Sequence, residues 1–182
     1  KSKAPHNELT MCDIKSSYAK AKFDAKNYLN KLYMKDKFRY NVIRFYQVYG
    51  PEQELNRFIP IVVFNCLKDK NFPSSAGKQG RDFLFIDDAI DAIFKVLNNK
   101  KSINQIYNIG FGKSSNIKSL ILKIVNLCKG GKPLFGEIKL RKDESLLSYP
   151  DISKAKKKLG WRPKIGIDTG LKRTIKYYKL KI

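Results

Sequence analysis

Histidine is almost missing from this chain: His6 is the only one in 182 residues. That scarcity excludes a histidine dyad and a histidine-built metal centre, so no metal is expected. Cysteine is scarce as well. Cys12, Cys66 and Cys128 are odd in number, and no two have metal-ligand or redox-motif spacing. They read as reduced thiols, buried as small apolar groups. Acidic residues number 16 against 38 basic ones, leaving a net charge of +22. Long apolar runs are absent: "FIPIVVFNCL" is too short to span a bilayer, and no charged-then-apolar leader opens the chain. These absences give the expectation of a soluble, cytoplasmic protein without a membrane partner.

What is present is globular. The hydrophobic fraction is 42% and the aromatic fraction 12%, and the length allows a substantial core. A charge of +22 could signal a polyanion partner, and a non-catalytic basic module that binds RNA is the alternative reading. The cations argue against it. Only seven are arginine, the better fork for phosphates and base edges. The lysines are spread along the chain and do not gather with aromatics. They read as solvated surface, and no nucleic-acid partner is expected.

The pattern along the chain alternates helix and strand, which predicts an α/β protein. Ser16 or Ser17 can cap a helix to about Lys35, with Ala21, Ala25, Tyr28, Leu29 and Leu32 on its apolar face. "YNVIRFYQVYG" predicts a buried parallel strand. "LNRFIPIVVFNCLKDK" predicts a helix and "FPSSAGKQG" a loop. "RDFLFI" predicts a strand, "DDAIDAIFKVLNN" a helix and "QIYNIG" a strand. "SSNIKSLILKIVNLCKGG" predicts an amphipathic helix, followed by a strand at "GEIKLR". Helices at "DISKAKKKLGW" and "DTGLKRTIKYYK" close the chain.

Tyr18 and Lys22 lie four apart near the start of the first helix, so they share one face. An ammonium beside a phenol favours the phenolate and lowers its pKa from the usual ~10. A phenolate nearer neutrality is a general base. Taken alone, this spacing is a weak signal in so lysine-rich a chain. "GFGKSS" at 110–115 is no phosphate loop: Tyr107 stands where a Walker loop needs glycine, and Ser115 where a dinucleotide fingerprint needs its third. It reads as a strand-to-helix turn capped by Ser114 or Ser115.

Five segments together carry a resemblance. They are "YAKAKFDAKNYL" (18–29), "RFYQVYGPEQ" (44–53), "GKQGRDFLFIDDAIDAI" (77–93), "IYNIGFGKSSNIKSL" (106–120) and "DISKAKKKLGWRPKIGIDTGLKRTIKYY" (151–178). In type and order they resemble the extended short-chain dehydrogenase/reductase family, the NAD-dependent sugar-nucleotide epimerases and dehydratases. The resemblance implies that Tyr18 is the catalytic base. Lys22 would hold the nicotinamide ribose and lower the Tyr18 pKa, so both residues would contact NAD or NADP. Arg81 and Arg141 would bind the diphosphate of a nucleotide diphosphate sugar, a task that suits a guanidinium fork. Glu144 would meet the nucleotide ribose. Gln47 stands where the family usually carries asparagine at the substrate.

The family's glycine-rich dinucleotide loop, the acidic residue after its second strand and the third catalytic Ser or Thr have no counterpart in these residues. The resemblance therefore implies the C-terminal portion of an epimerase, reductase or dehydratase. Residues 1–50 would be what remains of the Rossmann domain. Residues 51–182 would form a smaller α/β substrate-binding region, of which 81–112 could pack back on the Rossmann sheet. By itself such a chain would expose "NVIRFYQV" as a sheet edge, fail to bind NAD, and be marginally stable. The family also implies a homodimer through the Tyr helix. An inactive split-gene remnant is the remaining alternative.

Overall fold

The computed structural model describes residues 3–12, 14–141 and 144–182. Helix α1 (Ser17–Asp36) begins where the Ser16 hydroxyl accepts the Ala19 N–H at 3.1 Å. It stops where Lys37 turns left-handed at φ 54°. Strands β1 (Asn41–Phe45) and β2 (Gln47–Tyr49) follow, divided at Tyr46. Helix α2 (Phe58–Leu67) is apolar nearly throughout and carries Pro60 in its first turn, where the missing N–H leaves no gap. Strands β3 (Asn71–Ser74), β4 (Gly80–Arg81) and β5 (Phe83–Phe85) lead to α3 (Ile86–Leu97). Then come β6 (Gln105–Ile109), β7 (Ser115–Asn116), α4 (Ile117–Cys128), β8 (Lys132–Phe135), β9 (Leu147–Ser148), α5 (Ser153–Leu159) and α6 (Ile167–Lys179).

The strand pairings are almost all parallel, as the alternation of elements predicts. β1 pairs with β6, β2 with β5, β3 with β8 and β4 with β9; only β4 with β7 is antiparallel. This is an α/β fold. β1 has β6 as its one ladder partner among the described residues, and its own side chains are half-buried or exposed.

The core divides at β5, because successive strand residues point to opposite faces. Phe83 and Phe85 join one cluster with Tyr49, Val63, Ile121, Ile124 and Leu171, between α2, α4 and α6. Leu84 joins the other with Val96, Tyr107, Ile109, Ala155 and Trp161. Trp161 is fully buried and donates its indole N–H to the Asp88 carbonyl at 3.1 Å. The Asp88 carboxylate accepts the Lys164 and Ile165 N–H groups, both at 2.9 Å. The acidic start of α3 thus anchors the chain between α5 and α6.

Four expectations need correction. "GEIKLR" is not a strand: Gly136 turns at φ 97°, and the strand lies earlier, at β8. Its partner β3 overlaps the stretch read as a loop, from Phe72 to Ser74. α4 is capped by Asn116, not by Ser114 or Ser115, because the helix begins one residue later, at Ile117; the Asn116 side chain accepts the Ser119 N–H at 3.1 Å. On α1, Ala21, Ala25 and Tyr28 are exposed, and the partly covered positions include Ala19, Phe23, Leu29 and Tyr33.

Candidate active site

Two groups of residues carry the candidate chemistry. The first is on α1, which buries none of its residues. Tyr18 is 72% exposed, and the Lys22 ammonium stands 5.6 Å from the centre of its ring. The helical spacing therefore brings the two together on one face, open to solvent.

The second group surrounds a cavity of about 390 Å³. Gln47, Arg81, Arg141 and Glu144 all line it, although they come from β2, β4 and the segment before β9. Its floor is apolar, built by Phe58, Val62, Phe72, Phe83, Ile117 and Ile121 from the first core cluster and its margin. Arg81 is held in orientation. One end of its fork donates to Glu144 Oε1 at 2.7 Å and the other to the Gly80 carbonyl at 2.9 Å. The pair is largely shielded, with the side chains 15% and 29% exposed. A cavity with an apolar floor and two guanidinium groups in its lining suits a heteroaromatic ring that carries phosphate. Tyr18 and Lys22 are not among the residues that line it.

Sequence reasoning missed Gln79 and Ser75, which also line the cavity. Gln79 is buried and donates to the Ser75 hydroxyl at 3.2 Å. Their signal was Gly77, whose positive φ of 68° folds the strip against Lys118. It missed Asp82 too. This buried carboxylate accepts the N–H groups of Phe111, Gly112 and Lys113 at 2.7, 2.7 and 3.1 Å. Burial raises its pKa, partly offset by those three bonds. The "GFGKSS" turn spends its amides on Asp82, a physical reason why it is no phosphate cradle. An acid inside "RDFLF" was the available clue.

Residues 3–12 are loop-like but tied down. The His6 N–H donates to Tyr149 O at 3.0 Å, and its carbonyl accepts from Asp151 N and Asn108 Nδ2, both at 2.8 Å. Glu8 accepts the Asn108 N–H at 2.9 Å, and its carbonyl accepts from Arg44 Nη1 at 3.2 Å. The Tyr46 hydroxyl lies 3.3 Å from His6 Nδ1, and burial pushes its pKa up to about 12. His6 therefore acts as a strap residue.

Comparison with known proteins decides the family. The sequence profile of the NAD dependent epimerase/dehydratase family matches residues 1–110. The chain belongs to this family. Among relatives of this epimerase/dehydratase chain, UDP-glucuronate 4-epimerase of Thermodesulfobacterium geofontis is 33% identical over 153 residues, covering 78% of this chain and 44% of that protein. CDP-abequose synthase of Salmonella typhimurium is 30% identical over 141 residues, covering 74% and 46%. The solved structure of Bacillus cereus UDP-glucuronic acid 4-epimerase, in complex with UDP-glucuronic acid and NAD, matches with a TM-score of 0.90 at 26% identity. That match covers the whole of this epimerase/dehydratase chain and 58% of the solved one. The chain spans about half the length of the curated relatives it matches. Among its described residues, no helix is long and apolar enough to cross a membrane.

Proposed function

We propose that this chain supplies the substrate pocket and the proton-transferring pair of an NAD(P)-dependent enzyme acting on a nucleotide diphosphate sugar, as an epimerase, reductase or dehydratase. The observation that carries the reading is the convergence of Gln47, Arg81, Arg141 and Glu144 on one cavity with an apolar floor. Four residues picked by resemblance from distant segments meet around one space of ligand size.

In this reading the base enters the apolar slot, the Arg81 and Arg141 guanidiniums take the diphosphate, Glu144 accepts from the nucleotide ribose hydroxyls, and the Gln47 amide meets the substrate sugar. Tyr18 removes the proton from the reacting sugar hydroxyl, and Lys22 steadies the negative charge on the phenol oxygen. Bound NAD(P) would supply the hydride acceptor. The residues present fit that group only in part. Tyr18 and Lys22 are exposed side by side where a ribose could reach them, but the chain's glycine turn at 110–113 is committed to Asp82. The same reading includes a homodimer built through α1.

The test separates pocket from chemistry. Calorimetric titration of UDP into the chain should show saturable binding that weakens about 10- to 100-fold in Arg81→Ala, the worth of one charge-assisted bond. Tyr18→Phe should leave that affinity unchanged. Equal binding by Arg81→Ala, or steeply salt-dependent binding of RNA in place of UDP, would favour the basic-module alternative. NAD alone should show no binding at micromolar concentration to this chain.

A further inference from the structure

Two polar residues in the cavity wall, Gln79 and Ser75, are held in place from behind. The Ile117 N–H donates to the Gln79 carbonyl at 2.9 Å and the Lys118 N–H to the Gly77 carbonyl at 3.1 Å, so the first turn of α4 fixes the strip that carries them. A Cβ added at Gly77 would come within 2.7 Å of Lys118 Cβ and 2.8 Å of its nitrogen, so only glycine lets the strip lie this close. Within the strip, the Ser75 hydroxyl accepts the Gly77 N–H at 3.3 Å and a Gln79 Nε2 proton at 3.2 Å. Both of its lone pairs are then taken, and the hydroxyl is left as a donor. Its proton reaches Gln79 Oε1 only across 3.5 Å, too long for a strong bond. The carboxamide of Gln79, which is 7% exposed, keeps its second Nε2 proton and its oxygen. The wall therefore offers two donors and one acceptor to whatever enters.

We propose that Gln79 and Ser75 form a base-reading edge that selects a pyrimidine nucleotide over a purine one. The inference rests on the nucleotide reading and adds the residues that choose the base. The floor built by Phe72, Ile117 and Ile121 takes the flat of the ring, and the wall meets its edge. Uracil and cytosine each carry two acceptors and one donor group on their pairing edge, the complement of this wall. Guanine carries one acceptor and two donor groups there, and adenine one of each. A guanine would set N–H against N–H and leave buried donors unpaired, and that mismatch is the source of the selection. Size acts in the same direction: at about 390 Å³ the cavity is near the small end of ligand clefts, which favours a single ring over a fused pair. Ser75 serves as a positioning residue for the Gln79 amide as well as a donor in its own right.

Calorimetric titration of UDP, GDP and UDP methylated at the base N3 into the chain tests this. UDP should bind about 10-fold more tightly than GDP, and about 10-fold more tightly than the methylated UDP, which has lost its one edge donor. Gln79→Leu should bring all three affinities close together. Gln79→Glu, which replaces a donor with an acceptor, should move the UDP-to-GDP ratio toward GDP by about 10-fold. Arg81→Ala should weaken all three ligands alike and keep their ratios, because it acts on the diphosphate. Equal binding of UDP and GDP by the wild-type chain, or a Gln79→Leu variant that still tells UDP from its methylated form, overturns the base-reading edge while the nucleotide reading stands. Binding of none of the three overturns both. Should a Gln79 variant fail to fold, the wild-type ratios decide alone.

Discussion

Helices α1 and α4 are built alike at their ends and differ along their length. Each starts at a side-chain cap, Ser16 or Asn116, and each stops at a left-handed lysine, Lys37 or Lys129. Yet α4 buries Ile117, Leu120, Ile121 and Ile124, and α1 buries nothing. Caps fix where a helix begins and ends; burial decides what it can support. α4 holds up a cavity. α1 holds out a phenol and an ammonium. Binding and chemistry, in the proposed reading, lie on elements with opposite dependence on their neighbours.

The contrast can be broken from the largest effect downward. If the proposed role of Tyr18 holds, Tyr18→Phe in an active enzyme containing this chain should lower turnover by about 10²- to 10⁴-fold, the range for a lost general base, without moving the unfolding midpoint. Ile124→Ala should do the reverse. It removes a fully buried side chain from the first cluster and should cost about 2–5 kcal/mol in urea unfolding followed by circular dichroism. Gly170→Ala should cost about 1–3 kcal/mol. A helical glycine-to-alanine change ordinarily stabilises, but here a Cβ would strike the Tyr49 ring and come within 2.8 Å of Phe85.

The smallest effects compare two helix starts. Ser16→Ala should lower the stability of α1 by about 1 kcal/mol at any pH, read as lost helical signal. Asp151, one residue before the Ile152 cap of α5, accepts the Ser153 N–H at 2.8 Å, and the Ser153 hydroxyl and N–H hold its pKa below the ordinary carboxylate value. A depressed folded-state pKa adds stability above the unfolded value of ~3.9, and that share is lost as pH falls through the lowered one. Asp151→Asn should therefore flatten the acid limb of the unfolding curve, with neutral stability nearly kept because asparagine can accept the same N–H.

Much of this was legible in the sequence because it is local. Apolar patterns located the six helices and the strands β1, β2, β5 and β6, and the Tyr18–Lys22 contact follows from helical spacing alone. The cavity was legible only through resemblance: nothing in composition or periodicity brings Arg81 to Glu144. The β3–β8 ladder escaped because "NFPS" carries proline and short polar residues, and its pairing is set by the distant Gly130–Gly131 turn. Asp82 and Asp88 escaped because a buried carboxylate fed by backbone amides leaves no spacing signature. The covered face of α1 was misjudged because alanine and tyrosine sit equally well in contact or in water.

Asp82 has a mechanical consequence. Its carbonyl accepts the Gln47 N–H at 3.0 Å while its side chain grips the turn after β6, and Arg81 is its chain neighbour. Gln47 and Arg81 are thus bolted to one anvil. Ile138 to Arg141, across the cleft, belong to no regular element. A ligand entering between them would lie between a jaw locked to the sheet and one of irregular backbone, tied back where the Ile138 N–H donates to the Ser74 carbonyl at 3.1 Å.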